Sequence, residues 1–129
     1  MKKECVFCPS APPAVGPYSH AVKANGFVFL SGQGPMAPDG SGPIRGTVEK
    51  ETKATFENVK AVLASCGVGL DDVVKVTAYL SDMVNFGKFN DVYKTYFLEN
   101  QPARTCIQAG RLPMDIQVEI DVIAVIPQG

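Results

Sequence analysis

Two side chains of opposite charge stand inside stretches that otherwise read as strands: Arg104 in Ala103-Arg104-Thr105-Cys106-Ile107, and Glu119 in Ile116-Gln117-Val118-Glu119-Ile120. A guanidinium in such a setting calls for a carboxylate, because its planar fork of donors matches one with two parallel hydrogen bonds. The partner is either Glu119 itself, which makes the pair structural, or the carboxylate of a small ligand, which makes it a site. For Glu119 the alternation favours plain exposure: Ile116, Val118, Ile120 and Val122 face one way and Gln117, Glu119 and Asp121 the other, as on any half-buried strand. Arg104 is harder to assign to packing. Its strand-mates Cys106 and Gln108 are small or polar and leave room and hydrogen-bonding capacity on that face.

The other chemistry-bearing residues are few. Cys5 and Cys8 form a C-x-x-C, but a structural zinc site needs a second ligand pair, and His20, the single histidine, lies apart from any other cysteine. Pro9, Pro12 and Pro13 follow that motif and exclude the helix start on which a redox C-x-x-C depends. No metal and no cofactor is expected. Cys106 lacks an evident imidazole and orienting group, which argues against covalent cysteine catalysis. His20 on a predicted strand reads as a satisfied core or surface residue.

Composition narrows the classes. A chain of 129 residues, 46% hydrophobic, suits one domain over 1–129 with an ordinary core. Twelve basic and 13 acidic residues give a net charge of −1 with no basic run, which argues against a nucleic-acid partner. The apolar stretch behind Lys2 and Lys3 is too short for a secretion leader, and no later stretch has the length of a membrane span. The expectation is a soluble cytoplasmic protein with no membrane partner, whose four cysteines are thiols.

The elements that must position Arg104 and Glu119 follow from spacing. Ser19 to Leu30 alternates weakly around Asn25-Gly26, which predicts a hairpin. Gly32 to Gly46 is crowded with glycine and proline and reads as a shaped loop. Val48, Phe56, Val59, Val62, Leu63 and Cys66 make one helical stripe, started by a Thr47 cap, favoured by Glu49 and Glu51 in the first turn, and ended at Gly67. Val73 to Leu80 predicts a buried strand. A second helix fits about 85–98, with Phe86, Phe89, Tyr93, Tyr96 and Phe97 on its apolar side, and two strands close the chain. The order strand, strand, helix, strand, helix, strand, strand gives an α+β class: a partly parallel sheet with two helices on one face. The other face has no element to cover it, so self-association there is expected.

The stretch Pro102 to Pro113, with Val118-Glu119-Ile120, resembles the signature of the RidA/YjgF family, also known as the endoribonuclease L-PSP or translation inhibitor family. Gly16-Pro17-Tyr18-Ser19-His20-Ala21-Val22 resembles its opening motif, Leu30-Ser31-Gly32-Gln33 its next strand end, Phe56-Glu57-Asn58-Val59 its first-helix motif, and Asn90 a further family position. The resemblance covers nearly the whole chain. It implies a chorismate-mutase-like α+β domain with a mixed six-stranded sheet, and a homotrimer with clefts between subunits. In those clefts small 2-imino or 2-enamino acids, released by pyridoxal-phosphate enzymes, are hydrolysed to 2-oxo acids and ammonia without a cofactor. Carried over residue by residue, it makes Arg104 the holder of the substrate carboxylate and Glu119 the acid that positions or activates water. Tyr18, Ser31, Gly32, Asn90 and Cys106 line the cleft. Thr105 departs from the serine usual after the arginine, and its β-branch suits a strand. Two other classes stay open: an RNA-cleaving enzyme, and a non-catalytic ligand-binding or chaperone-like trimer that would keep Arg104 without needing Glu119.

Overall fold

The computed structural model describes residues 2–127 and begins with a short strand, β1 (Glu4–Val6), which the proline-rich sequence behind it gives no reason to expect. It runs antiparallel to β2 (Ala21–Ala24), which turns through Asn25 and Gly26 into β3 (Phe27–Leu30). Asn25 and Gly26 have φ of 53° and 81°, the left-handed pair that a two-residue hairpin turn needs.

Helix α1 (Val48–Ser65) starts where predicted, with Thr47 Oγ1 accepting the Lys50 N–H at 3.2 Å. It ends in a Schellman turn: Val68 N–H donates to Leu63 O, Gly67 N–H donates to Ala64 O, and Gly67 takes φ 78°. Glu51 departs from the surface role that its first-turn position suggests. It is buried, and its carboxylate accepts the backbone N–H and the side-chain amide of Gln117, tying the helix start to the entry of the last strand.

Strand β4 (Val73–Leu80) is followed by α2 (Phe86–Tyr96), slightly shorter than the aromatic pattern predicts because Phe97 leaves helical geometry with φ −126° and ψ 78°. Then come β5 (Ala103–Gln108) and β6 (Val118–Val125). The last strand begins two residues later than the alternation suggests. Met114 and Asp115 both take positive φ, 55° and 54°, and turn the chain just before Ile116. It also runs further, because Ile123, Ala124 and Val125 pair with Phe29, Val28 and Phe27.

The six strands lie in the order β1-β2-β3-β6-β4-β5, and β6 enters between β3 and β4, antiparallel to both. The parallel pair is β4 and β5, joined across α2. Both helices pack on one face. Phe56 of α1 is fully buried, stacked on Tyr96 with centroids 4.5 Å apart and edge-on to Tyr93 and Phe97, against Val76, Ala78, Ile120 and Val122 of the sheet. Such burial contributes about 2–3 kcal/mol for one phenyl ring. The opposite face is uncovered and exposes Phe27, Phe29 and Ile107, as expected of a sheet with no second layer.

Candidate active site

Register decides the relation of the two charges. Arg104 is the β4·β5 partner of Val76, a fully buried residue whose β6 partner is Val122, so Arg104 lies on the helix-covered face. Glu119 is the partner of Tyr79, one residue out of phase with the core positions Val118 and Ile120, so it lies on the open face. Within one chain the sheet stands between them. Among the described residues no ion pair joins them, so within one chain the two do not form a structural pair.

Arg104 is held by α2. Its Nη1 donates to Asn90 Oδ1 at 2.7 Å, and its Cζ lies 4.6 Å from the ring centre of Tyr93, 5.5 Å from Phe86 and 5.9 Å from Phe89. Residues 86, 89, 90 and 93 share one helical face, so a single helix supplies both the rings and the amide. The rings favour the cation through their electron-rich faces, while Asn90 occupies one donor and leaves the rest of the fork for a ligand. Cys106 lies two residues along the same face, half-buried. Burial raises its thiol above the ordinary range, with Arg104 partly opposing, so it is a thiol and not a prepared nucleophile. Among the described residues the buried Tyr93 hydroxyl has no hydrogen-bond partner, and burial raises its pKa, keeping it protonated.

Glu119 stands at the other end of the candidate set, in a cleft of about 200 Å³ that Tyr18 and Gly32 also line. The walls are largely apolar, with Met36, Met114 and Ile116 among them. Gly32 leaves the carboxyl its room: a Cβ on it would come 2.5 Å from Glu119 Oε2 and 3.0 Å from its Cδ, and the Glu119 side chain would have to shift. The approach is fixed by Gln33, whose N–H and C=O pair with Ile120 at 2.8 and 2.9 Å. Burial, with a smaller contribution from Asp121, raises the Glu119 carboxyl above the usual carboxylate range. Within one chain desolvation is unopposed by Arg104, because the guanidinium is on the other face.

Ser31 is beside this cleft, with its hydroxyl donating to Ser19 O at 2.7 Å and its backbone N–H donating to His20 O. Tyr18 is partly exposed and accepts the Val15 N–H. The predicted residues therefore fall in two groups: Tyr18, Ser31, Gly32 and Glu119 in one, and Asn90, Arg104 and Cys106 in the other. His20 belongs to the core. Its Nδ1 accepts the Cys8 N–H at 2.9 Å and its Nε2 lies 2.7 Å from Pro12 O, an arrangement that the neutral Nε2–H form satisfies at both nitrogens. The thiols of the C-x-x-C diverge, Cys5 exposed and Cys8 buried. Among the described residues no three His, Cys, Asp or Glu side chains cluster as metal ligands.

Three contributors escape the sequence reading. Asn58 is buried in α1 and donates to both Gly34 O and Met36 O, shaping the glycine-proline loop at the cleft. Arg45 donates to Met114 O and holds the left-handed turn that carries Met114 into the wall. Tyr93 and its ring neighbours look from periodicity like core alone. A helical stripe whose aromatics recur at three and four positions beside an asparagine is the one signal that could have marked them.

A mixed sheet with two helices on one face makes this an α+β protein, with a caged guanidinium on one face and a small cleft over a carboxyl on the other. The family model described as "Endoribonuclease L-PSP" matches residues 8–126, and the chain belongs to that family, which is the RidA/YjgF family. It is 44% identical over 124 residues to a RutC family protein of Pyrococcus abyssi, covering 96% of this chain and 98% of the relative. TdcF of Escherichia coli, whose name places it provisionally among reactive intermediate deaminases, is 39% identical over 126 residues, with 95% and 97% covered. The crystal structure of TdcF with bound serine superposes with a TM-score of 0.90 at 37% identity, covering 96% of this chain and 99% of that one. Yeast Mmf1 gives 0.94 at 42% identity, with 98% and 100% covered. Among the described residues no helix is long and apolar enough to cross a membrane.

Proposed function

We propose that this protein is a cofactor-independent deaminase that hydrolyses small 2-imino and 2-enamino acids, such as 2-iminobutanoate and 2-iminopropanoate, to 2-oxo acids and ammonia. The observation that carries the reading is a guanidinium held by Asn90 and three rings, to which no described residue of its own chain supplies a carboxylate. The complementary carboxyl is on the opposite sheet face, so the working cleft forms between copies, in a homotrimer closed over the open face. One copy contributes Arg104, Asn90 and Cys106, and the next contributes Glu119, Gly32, Ser31 and Tyr18. This is a cytoplasmic housekeeping activity that follows pyridoxal-phosphate enzymes.

The chemistry asks little beyond placement. A protonated imine is already electrophilic, so it needs its carboxylate fixed, a water aimed at C2, and three proton transfers. Arg104 grips the carboxylate. Glu119 accepts a proton from water as its oxygen adds to C2, returns that proton to the nitrogen, and then takes the carbinol O–H proton as the C–N bond breaks, so that the 2-oxo acid forms, ammonia leaves and the last proton passes to solvent. An enamine first takes a proton at C3. A raised proton affinity suits Glu119 to this exchange near neutral pH.

The bound serine in TdcF favours a second reading, a trimer that binds small amino acids without chemistry. RNA cleavage, which the family description names, has less support: the lone imidazole is committed at both nitrogens, and the chain carries no basic run to track a phosphate backbone. The deciding experiment couples an amino-acid dehydratase to this protein and follows loss of the imine signal for wild type, Arg104→Ala and Glu119→Ala. Acceleration by the wild type and its loss in both variants is expected. Ligand binding without acceleration would transfer the case to the binding reading, and RNA cleavage that survives extensive purification would revive the nuclease.

A further inference from the structure

The cleft over Glu119 is larger and more apolar than hydrolysis alone requires. It encloses about 200 Å³, walled by Pro12, Pro13, Val15, Met36, Met114 and Ile116, and among the described residues Glu119 is the one carboxylate, and no lysine or arginine lines it. The other polar groups at its walls are engaged within the chain: His20 at both ring nitrogens, the Tyr18 hydroxyl with the Val15 N–H, and the Gln33 amide with Ser31 O. A charge brought into such a space loses water without gaining a counter-ion, whereas hydrocarbon gains with every atom it buries.

Two of the walls are methionines on backbone that the chain fixes from elsewhere. The buried Asn58 amide donates to Gly34 O and Met36 O at 2.9 and 2.8 Å, and Arg45 Nη2 donates to Met114 O at 2.8 Å. Met114 takes φ 55°, a left-handed conformation uncommon for a residue that carries a side chain. Methionine is unbranched and polarizable, so two of them lining one space repack around linear, branched or thioether chains instead of selecting a single shape.

On the deaminase reading, on which this inference rests, the substrate has one orientation. C2 of a 2-imino acid bears the carboxylate, the nitrogen and the side chain in one plane. With the carboxylate drawn to Arg104 of the next copy and C2 beside Glu119, the side chain extends away from that copy into the cleft of the chain that supplies Glu119. We propose that this cleft is a side-chain pocket that selects 2-imino acids with leucine- or methionine-sized apolar side chains over their methyl and ethyl homologues and over charged ones, with Met114 as a specificity-determining residue. The sizes agree: an apolar cavity of about 150 Å³ holds benzene, and the part of a leucine-derived imine beyond its carboxylate is of similar bulk, about six non-hydrogen atoms. A methyl or ethyl group would leave much of the apolar wall against water. Every wall named here belongs to one chain, and what the next copy adds in closing over the sheet is read by measuring the assembled protein.

A broad-range amino-acid oxidase supplies the imines of alanine, 2-aminobutyrate, leucine, methionine and glutamate, and the loss of each is followed against its own background rate. kcat/KM is expected to climb by about fourfold for each methylene buried, so that leucine and methionine exceed alanine by about tenfold or more and glutamate falls below alanine. Met114→Gly suits the left-handed backbone, keeps the carbonyl that Arg45 holds and removes the wall, and it should lower the leucine-to-alanine ratio by about fivefold. Calorimetric titration with the 2-oxo acids of the same series reads the pocket without turnover, and their affinities should follow the same order. A flat or falling order from alanine to leucine overturns the proposal, as does a leucine-to-alanine ratio that Met114→Gly leaves unchanged. A wild type that binds the 2-oxo acids in the expected order yet leaves every imine at its background rate supports the pocket and overturns the deaminase reading instead.

Discussion

The two charged regions are built on opposite plans. Arg104 is surrounded: an amide and three rings of one helix fix its guanidinium. Glu119 is bare by comparison, set over a glycine at the floor of an apolar cleft with its proton affinity raised by burial. A cation that must grip a carboxylate loses little by being clamped, since its task is geometric. A carboxyl that must exchange protons needs an environment poised between its two forms. On the proposed reading each region serves its own half of the chemistry, and the sheet between them leaves the halves to different copies.

The largest effect should come from separating those halves genetically. Arg104→Ala and Glu119→Ala are each expected to lower kcat/KM for imine loss by about two orders of magnitude or more, on the order of 3 kcal/mol for a charge-assisted contact. Refolding the two inactive variants together should restore activity in about a quarter of the clefts, those that combine an intact arginine from one copy with an intact glutamate from the next. No recovery on mixing, measured by the same imine assay, would place both charges in one subunit's site and break the comparison.

Gly32→Ala comes next. The added methyl displaces the Glu119 carboxylate, and a misplacement of about 1 Å costs on the order of a hundredfold in rate. Far-ultraviolet circular dichroism should be unchanged, and a variant of wild-type activity would show that the carboxylate is not held where this cleft puts it.

A smaller effect tests the poise of Glu119 through stability. Its carboxyl binds a proton more tightly folded than unfolded, so its contribution is fully present below the unfolded value and is lost as pH rises through the folded one. Glu119→Gln should therefore gain on the wild type in urea denaturation as pH rises toward neutral and show no such gain in acid. The opposite trend would mean that the folded protein stabilises the anion.

The smallest effect is at Tyr93. Its ring supports the guanidinium but its hydroxyl has no partner, so Tyr93→Phe should leave kcat/KM within about twofold and raise the thermal midpoint slightly, by relieving a buried unpaired group. A tenfold loss of activity would give that hydroxyl a task in the cleft.

What could be read from the chain follows from what periodicity encodes. The Thr47 cap, the α1 stripe, the Asn25-Gly26 turn and the buried β4 are local patterns, and the structure has them where local physics puts them. Alternation along β6 gave Glu119 its correct face but made it look merely solvated, because a pattern of faces carries no information about the cleft that Gly32 and the loop behind Asn58 build over it. The opposite placement of Arg104 needed the β4·β5 register, which is fixed by long-range pairing. Edge strand β1 was hidden by its brevity and by the prolines that follow, and the two left-handed residues at 114 and 115 have no sequence signature comparable to glycine.

The bare sheet face has a kinetic corollary. If the catalytic hollow exists only where neighbouring copies meet over that face, turnover per chain is set by association as well as by chemistry. Dilution then acts as an inhibitor: specific activity should fall once the protein concentration drops below the constant for trimer dissociation, and an imine substrate able to bridge two subunits should restore it by mass action.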